Sequence, residues 1–487
     1  MSKIQVDAIE QQTACGTTLT AGGGAGKTVV VDATTVTLGR CGGTVALASG
    51  ASQTGFGRTG TVDWQTTPKT ATFTAANGEG YFCNTAGGTF EVDLPAGSAG
   101  AIVSVQDYNN TFDSHSLTVD PDGTEKINGG DAGEPVTLDT EGRGVTFVYI
   151  DATVGWRSVQ DNDFTKKGES AAFICASVSG TGSLATAPDC ANVKIATFTG
   201  PGTFTVNSAG NAAGSNSVDY MIVAGGGGGG IGYSSGYCGG GGGAGGYRES
   251  PGTVSNYTAS PLGASPATAI TVTAQGYTIE VGGGGPGKVG CSGNGNGPNV
   301  AAGANGIASS ALGITSAGGG GGAGGGRDAK SVAGNGGSGG GGAYSNASPA
   351  GGGGTGNTPS TNPSQGTDGG TGGPGSQNSG GGGGGATAVG GNRSSPSIGG
   401  TGGAGATSNI TGSPVARGGG GGGSGNAAGI APGGAGGGGA GATNGPAVNG
   451  VAGTVNTGGG GGAGVQYSNG VGANGGSGIV IIRYKFQ

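Results

Sequence analysis

Few residues in this chain combine in the ways that catalysis requires. Its single histidine, His115, sits in Phe112-Asp113-Ser114-His115-Ser116 with no spaced nucleophile or acid partner, and reads as a surface or turn residue. Asp120, Asp122 and Glu125 offer carboxylates that could work as a pair on a glycosidic bond. However, Asp120-Pro121-Asp122-Gly123 is the chemistry of a tight turn, and Asp-x-Asp-Gly without downstream ligands is a weak calcium signal. Gly22-Gly23-Gly24-Ala25-Gly26-Lys27-Thr28 has the outline of a phosphate-binding loop, yet the required first glycine falls at Ala21 and no amphipathic helix follows. Cys15, Cys41, Cys83, Cys175, Cys190, Cys238 and Cys291 form no C-x-x-C pair and are too sparse for a disulfide framework, which leaves small buried thiols. The expectation is a protein that is not an enzyme and uses no cofactor or metal.

Recognition chemistry is better represented. Tyr and Arg combine large contact area with adaptable hydrogen bonding, and both are favoured at binding hot spots. Here they interrupt runs of glycine, and the candidate receptor-binding residues are Tyr233, Tyr237, Arg327, Lys330, Tyr344, Arg393, Arg417 and Tyr467. Tyr247 and Arg248 are assigned to framework, because Thr268 to Thr273 and Tyr277 to Val281 downstream alternate like a β-hairpin around Gln275-Gly276.

The elements that must position these residues are unusual. Of 487 residues 131 are glycine, concentrated beyond about Tyr220 in runs that recur every ten to thirty residues. Between Gly282 and Gly478 the charged residues are Lys288, Arg327, Asp328, Lys330, Asp368, Arg393 and Arg417, so the acidic excess behind the net charge of −7 lies in the first 281 residues. That balance argues against a nucleic-acid partner, which needs clustered Lys and Arg. No apolar run approaches the roughly 18 residues of a membrane span, and no signal-peptide layout opens the sequence.

Such glycine runs fit polyglycine II helices, three residues per turn with about 3.1 Å of rise, whose amides must bond to neighbouring helices because none bond internally. Only glycine lets backbones approach on every side, while an occasional Ala can face outward. A flexible linker is the competing reading. Runs of similar length, the scarcity of Lys and Glu, and a closing apolar strand weigh against it. A fibre-forming or ice-binding array is a third possibility, disfavoured by spacers of unequal length.

The whole is expected to be mainly β: an N-terminal β-repeat attachment segment over 1–59, β-sandwich-like domains over 60–160 and 171–224 joined by a linker at 161–170, a polyglycine helix bundle over 225–478, and a closing C-terminal strand over 479–487. Strands are expected at Thr70 to Thr74, Tyr81 to Asn84, Thr89 to Leu94, Ala101 to Asp107, Ser116 to Val119 and Val145 to Ile150, with Trp64 and Trp156 as core anchors. Phe198 to Phe204 reads as two strands around a Pro201-Gly202 turn. Val218 to Val223 runs into Gly225, and Ile479 to Tyr484 is expected to return and pair with it.

Val218-Asp219-Tyr220-Met221-Ile222-Val223-Ala224 entering Gly225 to Gly230, and the closing Gly478-Ile479-Val480-Ile481-Ile482-Arg483-Tyr484-Lys485-Phe486, resemble the C-terminal receptor-binding parts of bacteriophage tail fibres. Met1-Ser2-Lys3-Ile4-Gln5-Val6-Asp7 and the region from Thr61-Val62-Asp63-Trp64 to Trp156 are similar to fibres of phages that infect marine bacteria. The glycine half is similar in plan to tip adhesins of some T-even phages, with loops at the distal end of a helix sandwich. This resemblance implies a virion tail-fibre protein made in the host cytoplasm, a homotrimer joined to other virion tail or fibre proteins through its N-terminus. It implies a host outer-surface protein or glycan as partner, with no nucleic acid and no membrane insertion. This chain departs from the tip adhesins by carrying its own β-domains ahead of the glycine region.

Overall fold

The computed structural model describes residues 62–159, 164, 166, 168–232, 237–290, 302–326, 332–345, 351–374, 378–426, 429–444, 449–465 and 470–487. The attachment segment expected over 1–59 lies outside the described residues. The fold is mainly β, and no helix among the described residues is long and apolar enough to cross a membrane.

The first unit runs through β1 (Asp63–Lys69), β2 (Phe73–Thr74), β3 (Glu79–Cys83), β4 (Phe90–Asp93), β5 (Ile102–Asp107), β6 (Leu117–Asp120), β7 (Val136–Leu138), β8 (Gly144–Asp151) and β9 (Gly155–Val159). Its first six strands alternate between two sheets, ordered β1-β3-β5-β8-β9 and β2-β4-β6-β7. Neighbours among those six are parallel, so the chain winds as a short solenoid before β7 to β9 close it with antiparallel pairs. Period-two alternation sends Tyr81, Cys83, Val103, Val105, Val92, Leu117 and Val119 into the space between the sheets. Trp156 is fully buried there, and its indole N–H donates to Glu125 (2.8 Å). The other Glu125 oxygen accepts from Gly97 N (2.7 Å), which makes this carboxylate part of the framework. Trp64 departs from expectation: it is 41% exposed on the outer face of edge strand β1.

A third sheet contains β10 (Cys175–Ala187), β11 (Cys190–Ser208), β12 (Ser217–Val223), β13 (Tyr247–Glu249), β14 (Ile270–Thr271), β15 (Gly276–Ile279) and, after the glycine region, the closing strand. The expected Pro201-Gly202 turn is absent, because β11 runs unbroken through it. Gly180 bulges in β10 with φ of +70°, Thr181 Oγ1 donates to Gly200 O (2.7 Å), and the Phe198 ring lies where a Cβ on Gly182 or Gly202 would stand. The hairpin expected over Thr268 to Val281 is also absent. Ile270 pairs with Val218 on β12 while Tyr277 pairs with Phe204 on β11, so the two short strands join different parts of the sheet.

In the glycine region, β16 (Ser309–Ala311) with β17 (Ile314–Ser316) and β18 (Ala406–Ser408) with β19 (Val415–Arg417) form small hairpins, and β20 (Ile479–Lys485) closes the chain. β20 returns between β11 and β12, with Met221 opposite Ile481 and Val223 opposite Ile479. Alternate residues of β12 and β20 serve opposite apolar clusters: Tyr220, Ile222, Val480 and Ile482 on one face, Met221, Val223, Ile479 and Ile481 on the other. A strand buried on both faces reads as a nearly continuous apolar run, which both sequences are apart from Asp219 and Arg483, opposite each other in the ladder.

The glycine segment leaving β12 defines the bundle. Its amides donate with a period of three: Gly225 and Gly228 to Ile307 and Ala304, Gly226 and Gly229 to Gly476 and Ala473, Gly227 and Gly230 to Gly243 and Gly240. Each pair of acceptors recedes by three residues, so all three partners are antiparallel. Its carbonyls accept from three further segments, at Gly319 and Gly322, Gly285 and Lys288, and Gly461 and Gly464, which advance by three and are parallel. Three residues per turn without internal bonds is the polyglycine II helix, here surrounded by six others. A Cβ at Gly225 to Gly230 would stand 2.0–2.2 Å from a neighbouring carbonyl oxygen, which explains why no other residue fits.

Alanine takes both outward and inward places: Ala304 is exposed on a helix that bonds to Gly228. Ala244, Ala323, Ala343, Ala442 and Ala463 are fully buried. Ala323, Ala333 and Ala343 cluster together, so these three methyls form a small apolar seam between helices.

Candidate functional site at the far end of the bundle

β12 and β20 fix one end of the bundle, and the helices carry the chain away from the sheet and back. At the far end the described backbones are tied to one another by single bridges: Ile231 to Gly464, Gly232 to Gly325, Gly326 to Ser345, Ser345 to Pro374, Ser379 to Gly425, and Gly425 to Thr443. These residues flank 233–236, 327–331, 346–350, 375–377, 427–428, 445–448 and 466–469, so the described chain enters all those segments from one face. Tyr233, Arg327, Lys330 and Tyr467 lie outside the described residues.

Tyr237 and Tyr344 do meet at this face. Their ring centroids are 5.2 Å apart, and with Cys238, Ala442 and Val465 they form a small apolar plug. Such ring pairs contribute about 0.5–1.5 kcal/mol beyond the area they bury. Tyr344 is nearly buried and its phenol is pushed up by that burial, with Tyr237 and Cys238 adding to the shift. The Cys238 thiol donates to Asn378 O (3.0 Å) and is pushed up to about 12 by burial, which keeps it protonated and inert. Tyr344 therefore supports the end of the bundle and presents little area of its own.

Arg393 is half-exposed at the same end, in the turn Arg393-Ser394-Ser395-Pro396-Ser397-Ile398. Ser395 bridges Ile398, the Arg393 amide donates to Thr371 O (3.1 Å), and Ser379 Oγ donates to Ser395 O (2.9 Å), so this turn is stapled to two neighbouring helices. Lys288 is also half-exposed near this end. Asparagines between the glycine runs complete the rim: Asn444 Nδ2 donates to Asn426 Oδ1 (2.8 Å), and Asn392 Oδ1 accepts from Thr371 N and Oγ1. Their signal was present as an Asn after several glycine runs.

Arg417 stands elsewhere. It closes β19 beside the sheet, 7% exposed, with Nη1 3.9 Å from the Met221 sulfur, and burial lowers its pKa. Its expected place among displayed loops is corrected to the clamped end. Tyr247 is fully buried there and donates to Glu249 (3.0 Å), in line with a framework role.

The stretch from the middle of β11 to the end of β20 matches a family model described as a glycine-rich domain, over residues 197–485. The chain belongs to that family. The glycine-rich domain thus takes in the strands that clamp the bundle as well as the helices. No curated protein matches the chain.

Carboxylates elsewhere make a weaker arrangement. Glu91 and Asp93 on β4 and Asp120 on β6 bring oxygens within 4.8 Å of one another, all half-buried on the outer side of their sheet. Burial, then mutual repulsion, raises the pKa of Asp120.

Proposed function

We propose that this glycine-rich protein is a virion structural protein, a phage tail fibre whose bundle presents its far end to a host cell-surface protein or glycan. The observation that carries this reading is the bridged rim: helix ends far apart in sequence meet on one face, opposite the sheet that holds the bundle shut. A rigid scaffold displaying variable segments from one face suits recognition, and many modest contacts gain from multivalency if the chain trimerises. Tyr233, Tyr237, Arg327, Lys330, Arg393 and Tyr467 are the proposed contacts, with attachment to other tail or fibre proteins assigned to 1–59. Replacing 327–331 or 346–350 with Gly-Ser sequence of equal length is expected to reduce adsorption to host cells while leaving the particle assembled. Unchanged adsorption would favour the second reading, a structural fibre subunit without receptor binding, and release of glycan fragments by the purified protein would favour a depolymerase.

A further inference from the structure

The sheet that clamps the bundle is assembled out of sequence order. β11 and β12 both run antiparallel to β20, so they are parallel to each other and stand on either side of it. Neighbouring strands lie about 4.8 Å apart, so β11 and β12 bound a slot about 10 Å wide that β20 fills. The rims of the slot are the peptide groups of residues 193–198 and 219–223, whose ladder on that side is with β20. Its walls come from residues earlier in the sequence. Phe204, Ile222 and Leu312 line one side and Val223, Tyr247 and Ile410 the other, and β20 sends Val480, Ile482 and Tyr484 into the first and Ile479 and Ile481 into the second.

Arg483 enters with those apolar residues. Its side chain is fully buried, donates to Asp189, Ser255 O and Ile410 O, which belong to three separate turns, and lies 5.4 Å from the Tyr257 ring. Burying a guanidinium is costly until its acceptors are in place. The three turns must therefore gather before β20 can enter. The segment that leads into β20 also completes the surrounded glycine helix: Gly226 and Gly229 donate to Gly476 and Ala473, while Gly475 and Gly478 donate to Gly285 and Gly282. Entry of β20 draws 473–478 against 225–230, so one event closes sheet and bundle together.

We infer that β20 is a strap whose docking is the last and slowest step in folding the glycine-rich domain, whatever the far end binds, and that the bundle stays open until 479–485 enter the slot. The pairs it makes join residues far apart in sequence, Val223 with Ile479 and Phe198 with Val480, and such long-range pairing is intrinsically slow. Refolding the full chain from guanidinium under pulses of hydrogen exchange, read by mass spectrometry of peptide fragments, orders these events. The β10–β11 hairpin, which is local, is expected to gain protection first, and 225–230 and 479–485 together in the final phase. Ile481→Ala is expected to slow that final phase about fivefold and to leave the rate for β10 and β11 unchanged. Protection of 225–230 or of 479–485 ahead of the other would overturn the inference, and this order is read in the unaltered chain even if the variant does not fold. An unchanged final rate in a folded Ile481→Ala chain would also overturn it.

Discussion

Asp219 and Arg483 stand opposite each other in the β12–β20 ladder, both without solvent exposure, and both hold Ser255. Asp219 accepts from Ser255 N (2.8 Å) and Oγ (2.6 Å), while Arg483 Nη2 donates to Ser255 O (3.4 Å) and to Asp189 (3.0 Å). Arg483 Nη1 donates to Ile410 O (3.1 Å). One buried pair of positions therefore binds the β10–β11 turn, the loop after β13 and the β18–β19 turn to the strands that close the bundle.

Arg483→Met keeps an apolar stem of similar length but leaves those carbonyl and carboxylate oxygens without their donor. Removing one side of a buried polar network costs far more than the network contributes net. The expected loss is about 3 kcal/mol of unfolding free energy, read from the urea midpoint. A loss under about 1 kcal/mol would mean that the apolar pairs alone hold the clamp.

Two glycine substitutions separate close packing from simple backbone preference. Gly227→Ala places a methyl 2.1 Å from Gly320 O inside the bundle, whereas Gly352→Ala meets nothing within 4 Å. The first is expected to cost about 3 kcal/mol or more and the second to stay within about 0.5 kcal/mol. Equal melting temperatures for the two variants would contradict helix packing around Gly227.

Alkaline titration tests the buried thiols. Burial pushes Cys83 and Cys238 from the ordinary 9 up to about 12. Between those values the folded chain holds protons that the unfolded chain has released, so stability is full below about pH 9 and falls as pH rises toward 12. Each group contributes a slope of about 1.4 kcal/mol per pH unit inside that window. Urea midpoints from pH 8 to 11 should fall, less steeply in Cys238→Ala; equal slopes in the two proteins would place that thiol in water.

The sequence made some of this legible and concealed the rest for identifiable reasons. Val218 to Val223 and Ile479 to Tyr484 were readable as partners because strands buried on both faces are apolar almost throughout, here with Asp219 and Arg483 as the paired exception. The glycine helices were readable from run length. Pro201 misled because a Pro-Gly pair ordinarily turns the chain, whereas here the bulge at Gly180 on the neighbouring strand absorbs the irregularity. Trp64 misled because aromatic residues usually anchor cores, whereas here the strand order leaves it on the outer face of edge strand β1, which no local pattern displays. Arg417 borders a glycine run as the loop residues do, but the β18–β19 hairpin carries it back to the sheet. At the far end, Arg393 and Tyr237 were found by residue type, while their gathering on one face depends on the order in which helices pack.

The account rests on the glycine region being an ordered bundle whose amides bond to neighbouring helices, and amide hydrogen exchange over Ala224 to Gly232 tests this most directly. Gly225 to Gly230 are expected to exchange as slowly as β12 and β20, with protection lost only on global unfolding. Exchange of these six glycines at the rate of an unstructured chain would contradict it.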